Sequence, residues 1–323
     1  MREQVVVFGQ GRSLIGILTD PPEMPTSNNL HQQGKDSDLF QRNREYEYGA
    51  RPAIIFLNIG TIHRVGVNRL HVKIARKLAM AGFVGLRFDF AGVGDSPAHY
   101  DNLPFEKSAI NQAQEAMDFL SSARGIKQFI LVGICAGADL ALTIASYDSR
   151  VVGVVSLEGA SIPTLRHYLK HHLFSYHSWR MAITRGKHEF RLIRDVIQTI
   201  RHTVLRSSMT QLRSLLIQKE KPSSKASFIE DLRMLTGRGV NLLLVYAKAS
   251  RGFSYFMGHR DKVRSLISSG KLHVEIIEGS DHLFTLLSSQ EHLLQMLQNW
   301  AREFRLDVPR PSSSCLMRSK PSL

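Results

Sequence analysis

The sequence predicts an α/β fold, a mostly parallel central sheet flanked by helices and interrupted once by a helical insertion. Three observations predict it. Short apolar runs such as AIIFLN, QFILVG and NLLLVYA alternate with longer amphipathic stretches, the pattern of strands joined by crossover helices. One of those runs passes directly into a helix of small residues through a turn flanked by glycines. The alternation stops over residues 159–239 and then resumes with two more strand-like runs, so the interruption is an insertion within one sheet.

Taken in order, residues 4–19 read as a hairpin, with VVVF and LIGIL on either side of Gly9-Gln10-Gly11-Arg12. The polar, aliphatic-poor stretch 21–50 reads as a long or disordered loop. Strand 53–58, helix 69–80, strand 85–90 and helix 105–122 come next. In the second helix Ile110, Ala113, Met117 and Leu120 recur at helical spacing, so one face packs on the sheet. Strand 128–133 leads into helix 136–147, and strand 151–157 comes at once. Beyond the insertion lie strands 241–247 and 272–277 and a closing helix 286–304, whose apolar stripe is Leu293, Leu297, Trp300 and Phe304. The organisation is therefore a core in two parts, 1–158 and 240–308, a helical cap at 159–239 and a disordered tail at 309–323.

Composition narrows the function classes. The chain has 323 residues, 43% of them hydrophobic and 22% charged, enough to bury a sizeable core. Its first apolar run, 5–8, falls short of the 7–15 residues of a secretory signal. No apolar segment approaches the ~20 residues needed to cross a bilayer. A cytoplasmic location is expected. The two cysteines, Cys135 and Cys315, imply a reducing compartment in which Cys135 is a free thiol, because Cys315 lies in the Ser/Pro-rich tail. A formal charge of +14 points to anionic partners.

Gly133-Ile134-Cys135-Ala136-Gly137 has the form G-x-nucleophile-x-G between a buried strand and a helix. Such a nucleophile sits on a sharp, strained turn where a Cβ on either flank would clash. The unpaired N–H groups and positive dipole end of the helix N-terminus favour a thiolate there. Ala136 N–H is then one oxyanion donor. The second should come from the loop after AIIFLN, where Ile59, Gly60 and Thr61 are the candidates. His63 and Arg64 follow in the same loop and are candidates for orienting an anionic substrate group.

Where the order is nucleophile, acid, histidine, the histidine stands on the loop after the last strand. Of fourteen histidines, His282 alone has that placement. The acid should come after NLLLVYA, yet the chain reads Lys248-Ala249-Ser250-Arg251-Gly252-Phe253-Ser254, with no carboxylate. Glu158, ending the preceding strand, is the expected substitute. Asp281 adjoins His282, but adjacent side chains rarely face one another. Phe88-Asp89-Phe90-Ala91-Gly92-Val93-Gly94-Asp95-Ser96 reads as a strand-end turn whose aspartates brace backbone.

Together Leu57-Asn58 through His63-Arg64-Val65-Gly66, Leu86-Arg87-Phe88-Asp89 to Gly94-Asp95-Ser96, Gly133 to Ala138 and Gly279 to His282 resemble the cysteine-nucleophile α/β hydrolases of the serine-aminopeptidase-like group. They are similar to hydrolases associated with bacterial exosortase and exopolysaccharide systems. Members of that group carry aspartates where this chain has Ser250 or Ser254. The elbow also resembles those of dienelactone hydrolases and polyhydroxyalkanoate synthases, which use a Cys-His pair for ester hydrolysis and acyl transfer. The resemblance implies an α/β-hydrolase fold and acyl chemistry on an ester or thioester.

The insertion has helical periodicity, with Leu192, Val196, Ile200, Val204 and Leu205 on one stripe, and is expected to roof the site. Over 161–222 it carries twelve Lys or Arg against three acidic residues. An acidic acyl-carrier protein or an anionic membrane surface is the partner this charge suits. No recognised nucleic-acid motif or aromatic interleaving is present, so nucleic acid is not expected. His167 and His171 share a helical face without a carboxylate or cysteine beside them, so no metal is expected, and no cofactor. The sequence thus predicts an acyl hydrolase or acyltransferase working through a Cys135 acyl-enzyme, on a small or carrier-bound substrate. The alternative is a weakened or inactive hydrolase fold that serves as a binding module.

Overall fold

The structure is a computed structural model that describes residues 1–22, 51–98, 103–160 and 228–304. The long loop expected at 21–50, most of the insertion and the tail fall outside the described residues. The chain divides into two units, 1–161 with 229–323, and 162–228. The first unit holds the sheet and the helices around it.

Eight strands form one sheet in the order β1-β2-β4-β3-β5-β6-β7-β8. They are β1 Arg2–Phe8, β2 Leu14–Asp20, β3 Ala53–Phe56, β4 Gly85–Asp89, β5 Phe129–Ile134, β6 Val151–Leu157, β7 Asn241–Ala247 and β8 Leu272–Ile277. The hairpin β1-β2 is antiparallel, from Arg2 opposite Asp20 to Phe8 opposite Leu14, and β2 joins β4 antiparallel. Every other pairing is parallel. The expected sheet is therefore present, with its antiparallel pairings confined to one edge.

The helices are α1 Leu70–Ala79, α2 Phe105–Arg124, α3 Ala136–Tyr147, α4 Phe228–Gly237, α5 Arg251–Met257, α6 Arg260–Ser268 and α7 Leu287–Ala301. Leu70, Ile74 and Leu78 of α1 and Leu293, Leu297 and Trp300 of α7 share one buried cluster with Ile54, Phe56, Ile130, Val132 and Val245 of the sheet. Phe129 and Ile130, of opposite parity on β5, are both buried, so this strand is covered on both faces. That is why it reads as an unbroken apolar run.

Two differences from the sequence reading have local causes. Helix α4 from Ile229 and the residues to 239, expected in the cap, belong to the core unit. Ile229, Leu232 and Leu235 are buried, and the Arg238 guanidinium donates to Ala145 O (2.7 Å) and Asp148 O (3.0 Å) at the C-terminal end of α3, where a cation suits the dipole. Helices α5 and α6 have no counterpart in the sequence reading. Phe253, Phe256 and Met257 of α5 and Val263, Leu266 and Ile267 of α6 do stand at helical spacing, but the helices are only 7 and 9 residues long, about two turns each, too brief for the pattern to repeat.

Candidate active site

Strand β5 ends at Ile134 and α3 begins at Ala136, so the whole reversal falls on Cys135. Its backbone is at φ 53°, ψ −118°, a region that non-glycine residues occupy only when their surroundings enforce it. The flanking glycines show what enforces it. A Cβ on Gly133 would run into Gly137 O, and one on Gly137 would lie 2.6 Å from Asn58 O. Strand, helix and the loop after β3 therefore meet in backbone contact around the cysteine. Its N–H donates to Leu157 O at 2.8 Å, which ties the elbow to β6. The thiol is partly exposed.

His282 stands after β8, in a loop shaped by Asp281. The Asp281 carboxylate accepts from Thr285 N (2.7 Å) and Thr285 Oγ1 (2.6 Å), while Gln290 Nε2 donates to Phe284 O at 2.7 Å. The imidazole Nδ1 lies 3.0 Å from Glu158 Oε2. Its other nitrogen is left for Cys135, with which His282 also shares a side-chain hydrogen bond. The bond with Cys135, then that with Glu158, pushes the imidazole pKa up to about 10 against the opposing effect of burial. Glu158 itself is fully buried, and its Oε1 accepts from Ala247 N. Cys135, His282 and Glu158 thus form one hydrogen-bonded line at the C-terminal ends of β5, β8 and β6, where open parallel sheets place their chemistry.

The loop after β3 makes a tight turn in which Ile62 N donates to Ile59 O at 3.1 Å and Gly60 takes φ 57°. Ile59 is buried, whereas Gly60 and Thr61 are exposed. The peptide joining Asn58 to Ile59 is the one packed on Gly137. Asn58 Nδ2 donates to Ile62 O (2.8 Å) and Asp89 Oδ1 (2.9 Å), and its Oδ1 accepts from Phe90 N (2.9 Å). Asp89 also accepts from Arg64 N at 2.6 Å and from Asp95 N at 3.2 Å. On the other side of the site, Ala136 opens α3, so its N–H has no intrahelical acceptor.

Residues 66–257 match the family model described as alpha/beta hydrolase fold, which is more than half of the chain. The chain belongs to the α/β-hydrolase family. The match takes in the elbow and Glu158, and it stops short of His282. An esterase from Pyrococcus furiosus has a similar structure at 12% identity and TM-score 0.55, over 94% of this chain and 91% of that one. The alpha/beta hydrolase GrgF from Penicillium sp. is similar at 14% and 0.53, over 94% and 99%. An alpha-beta serine hydrolase homologue from Coxiella burnetii is similar at 14% and 0.51, over 93% and 97%. No curated protein matches the sequence.

One sequence expectation for this hydrolase needs correction. His63 and Arg64 are not held out toward a substrate. Asp89 is fully buried and must be neutralised, and the Arg64 guanidinium does so, binding Asp89 and, at 2.6 Å, Asp95. His63 Nε2 sits 3.3 Å from Asp95 Oδ2, and its Nδ1 accepts from Val65 N at 3.2 Å. His63, Asp89 and Asp95 are close enough to suggest a metal cluster, but the guanidinium already supplies their countercharge. Asp89 braces backbone as expected of that turn, through Arg64 N and Asp95 N, whereas the Asp95 carboxylate binds the side chains of Arg64 and His63.

The position after β7 where the fold usually carries its acid is occupied by Ser250, which caps α5 by accepting from Phe253 N at 3.1 Å. Sequence reasoning treats Asn58 only as part of a loop and passes over Asp139. The signal for Asn58 is present, since an amide closing an apolar strand beside a tight turn can bond both to its own turn and to the next strand. Asp139 gives no such signal.

Proposed function

We propose that this α/β hydrolase is an acyl hydrolase or acyltransferase that attacks an ester or thioester through Cys135, with His282 as proton carrier and Glu158 as its orienting acid. The observation that carries the reading is the hydrogen-bonded line Cys135–His282–Glu158 with Cys135 in a strained elbow.

In this reading the resting pair is thiolate and imidazolium, as the raised pKa of His282 favours. The Cys135 sulfur donates an electron pair to the carbonyl carbon, and the carbonyl π pair moves to oxygen. That oxyanion is held by the N–H group of Ala136 and by one N–H from the turn after β3, for which Ile59, Gly60 and Thr61 are the candidates. Collapse expels the alkoxide or thiolate leaving group, which takes the proton from His282. His282 is then neutral and removes a proton from the incoming water, alcohol or amine as that attacks the thioester. The second collapse returns the thiolate and the imidazolium. Glu158 holds Nδ1–H throughout, so the other nitrogen stays aimed at sulfur.

Ile62, Leu283 and Leu286 are exposed on the loops beside the site, Leu286 to 55%, and suit a substrate with an apolar acyl part. The basic insertion is read as recruiting an anionic carrier or surface that delivers it. The binding-module alternative rests on the absence of a carboxylate after β7, and the carboxylate bonded to His282 from the end of β6 supports the enzyme reading over it. Incubation with activated short-chain thioesters, followed by peptide mass spectrometry, tests the reading. An acyl adduct on Cys135 is expected, and modification confined to Cys315 would overturn it.

A further inference from the structure

Glu158 reaches His282 from an awkward stretch of chain. It takes φ 56° and Ala160 takes φ 62°, two left-handed non-glycine residues on either side of Gly159. Such conformations persist only where neighbours over-determine them. Three contacts hold this turn. Glu158 N donates to Val245 O at 2.9 Å, continuing the β6-β7 ladder by one residue. Helix α5 closes in from one side, since a Cβ on Gly252 would lie 2.5 Å from Gly159 O. From the other side, Asp139 Oδ1 accepts from Ala160 N at 2.7 Å.

Asp139 lies in the first turn of α3, and its own N–H donates to Cys135 O at 3.3 Å. It is therefore tied by backbone to the nucleophile and by side chain to the segment carrying the acid. Its carboxylate is also near enough to Tyr246 to help keep that buried phenol neutral. We propose that Asp139 is a positioning residue, which by holding Ala160 N–H fixes the Glu158–Ala160 turn and so the carboxylate that orients His282. The inference rests on reading Cys135, His282 and Glu158 as the catalytic trio. It gives an indirect role to an aspartate that would otherwise pass as an ordinary first-turn acid on a helix.

The test compares Asp139→Ala, Asp139→Asn, Glu158→Gln and Gly252→Ala in the full chain. Two readouts are used: steady-state hydrolysis of an activated short-chain thioester, and the pH profile of Cys135 alkylation by iodoacetamide, followed at the peptide level so that Cys315 is counted separately. Asp139→Ala should lower kcat about ten-fold with little change in KM, a part of the 10²–10⁴ that positioned acid–base groups supply. It should also move the alkaline limb of the profile toward neutrality, as Glu158→Gln does, because a displaced carboxylate no longer supports the imidazolium. Asp139→Asn keeps the acceptor oxygen and should restore most of the loss. Gly252→Ala pushes the same turn from the α5 side and should reproduce the shifted limb, which keeps the idea testable if Asp139→Ala does not fold. A shifted limb in Glu158→Gln with wild-type profiles in both Asp139→Ala and Gly252→Ala would overturn the proposal. Wild-type behaviour in Glu158→Gln itself would instead overturn the reading of the trio.

Discussion

His282 Nδ1 lies 3.0 Å from Glu158 Oε2 across 124 residues of sequence, and the carboxylate comes from the end of β6. Glu158 is fully buried with its second oxygen committed to Ala247 N, so it has no freedom to serve another partner. Glu158→Gln keeps the shape and removes the charge that fixes the imidazole tautomer. Turnover should fall at least ten-fold and by no more than about 10⁴, the loss known when a triad acid becomes its amide. Single-turnover kinetics on an activated thioester measure it, and an unchanged rate would reduce the site to a Cys-His pair.

Cys135→Ala should abolish turnover and leave the fold intact. The reversal is enforced by Gly133 and Gly137, whose close approaches involve backbone and not the thiol. Thermal melting followed by circular dichroism checks the second half of the statement. By contrast, Gly137→Ala sets a Cβ 2.6 Å from Asn58 O and should cost both stability and activity.

The imidazole pKa of His282, raised to about 10 by Cys135 and then Glu158, has a defined direction in pH. A group whose folded pKa is raised stabilises the fold fully below its ordinary value, near 6.5, and loses that contribution as pH climbs through about 10. Urea midpoints of the wild type and His282→Gln should therefore differ most below about pH 6.5 and converge above about pH 10. A gap that widens with rising pH would contradict the assignment.

His71 titrates in the opposite sense. Its ring is buried beside Phe56, with centroids 5.5 Å apart, and burial lowers its pKa from 6.5 to about 4. The folded state holds it neutral, so its contribution is whole above about 6.5 and is lost as pH falls through about 4. Up to roughly 3 kcal/mol is involved. His71→Phe should flatten the acid limb of the stability curve between those values, as read from urea melts at a series of pH.

The basic insertion yields a prediction from charge alone. Rim charges chiefly raise association rates and are screened over a Debye length of ~8 Å at physiological salt. Activity on a carrier-bound acyl substrate should fall steeply with ionic strength, and activity on a small neutral thioester should barely change. Reversing Arg191, Arg194 and Arg201 to Glu should reproduce the high-salt behaviour at low salt. Equal salt sensitivity of the two substrates would remove the carrier from the scheme.

Strands β6, β7 and β8 and helix α3 begin and end where the sequence places them, because continuous apolar runs and the small-residue helix are signals local to the chain. The elbow is legible for the same reason, since a glycine on each side of Cys135 records a clash that any strand-to-helix reversal would meet. His282 is legible from order alone. What the chain could not declare is which charged groups are spent on one another. Arg64 looks free in sequence, and only the burial of Asp89 two elements away turns it into that carboxylate's countercharge. Glu158 can be named as a substitute acid, but its bond to His282 depends on a strained turn held by Asp139 and Gly252 from two different helices. Helices α5 and α6 pass unread because at 7 and 9 residues each shows its apolar spacing only once. Periodicity and turn chemistry act between neighbours in sequence and so can be read there, whereas the pairing of charges and the fixing of a carboxylate act between segments that only the folded sheet brings together.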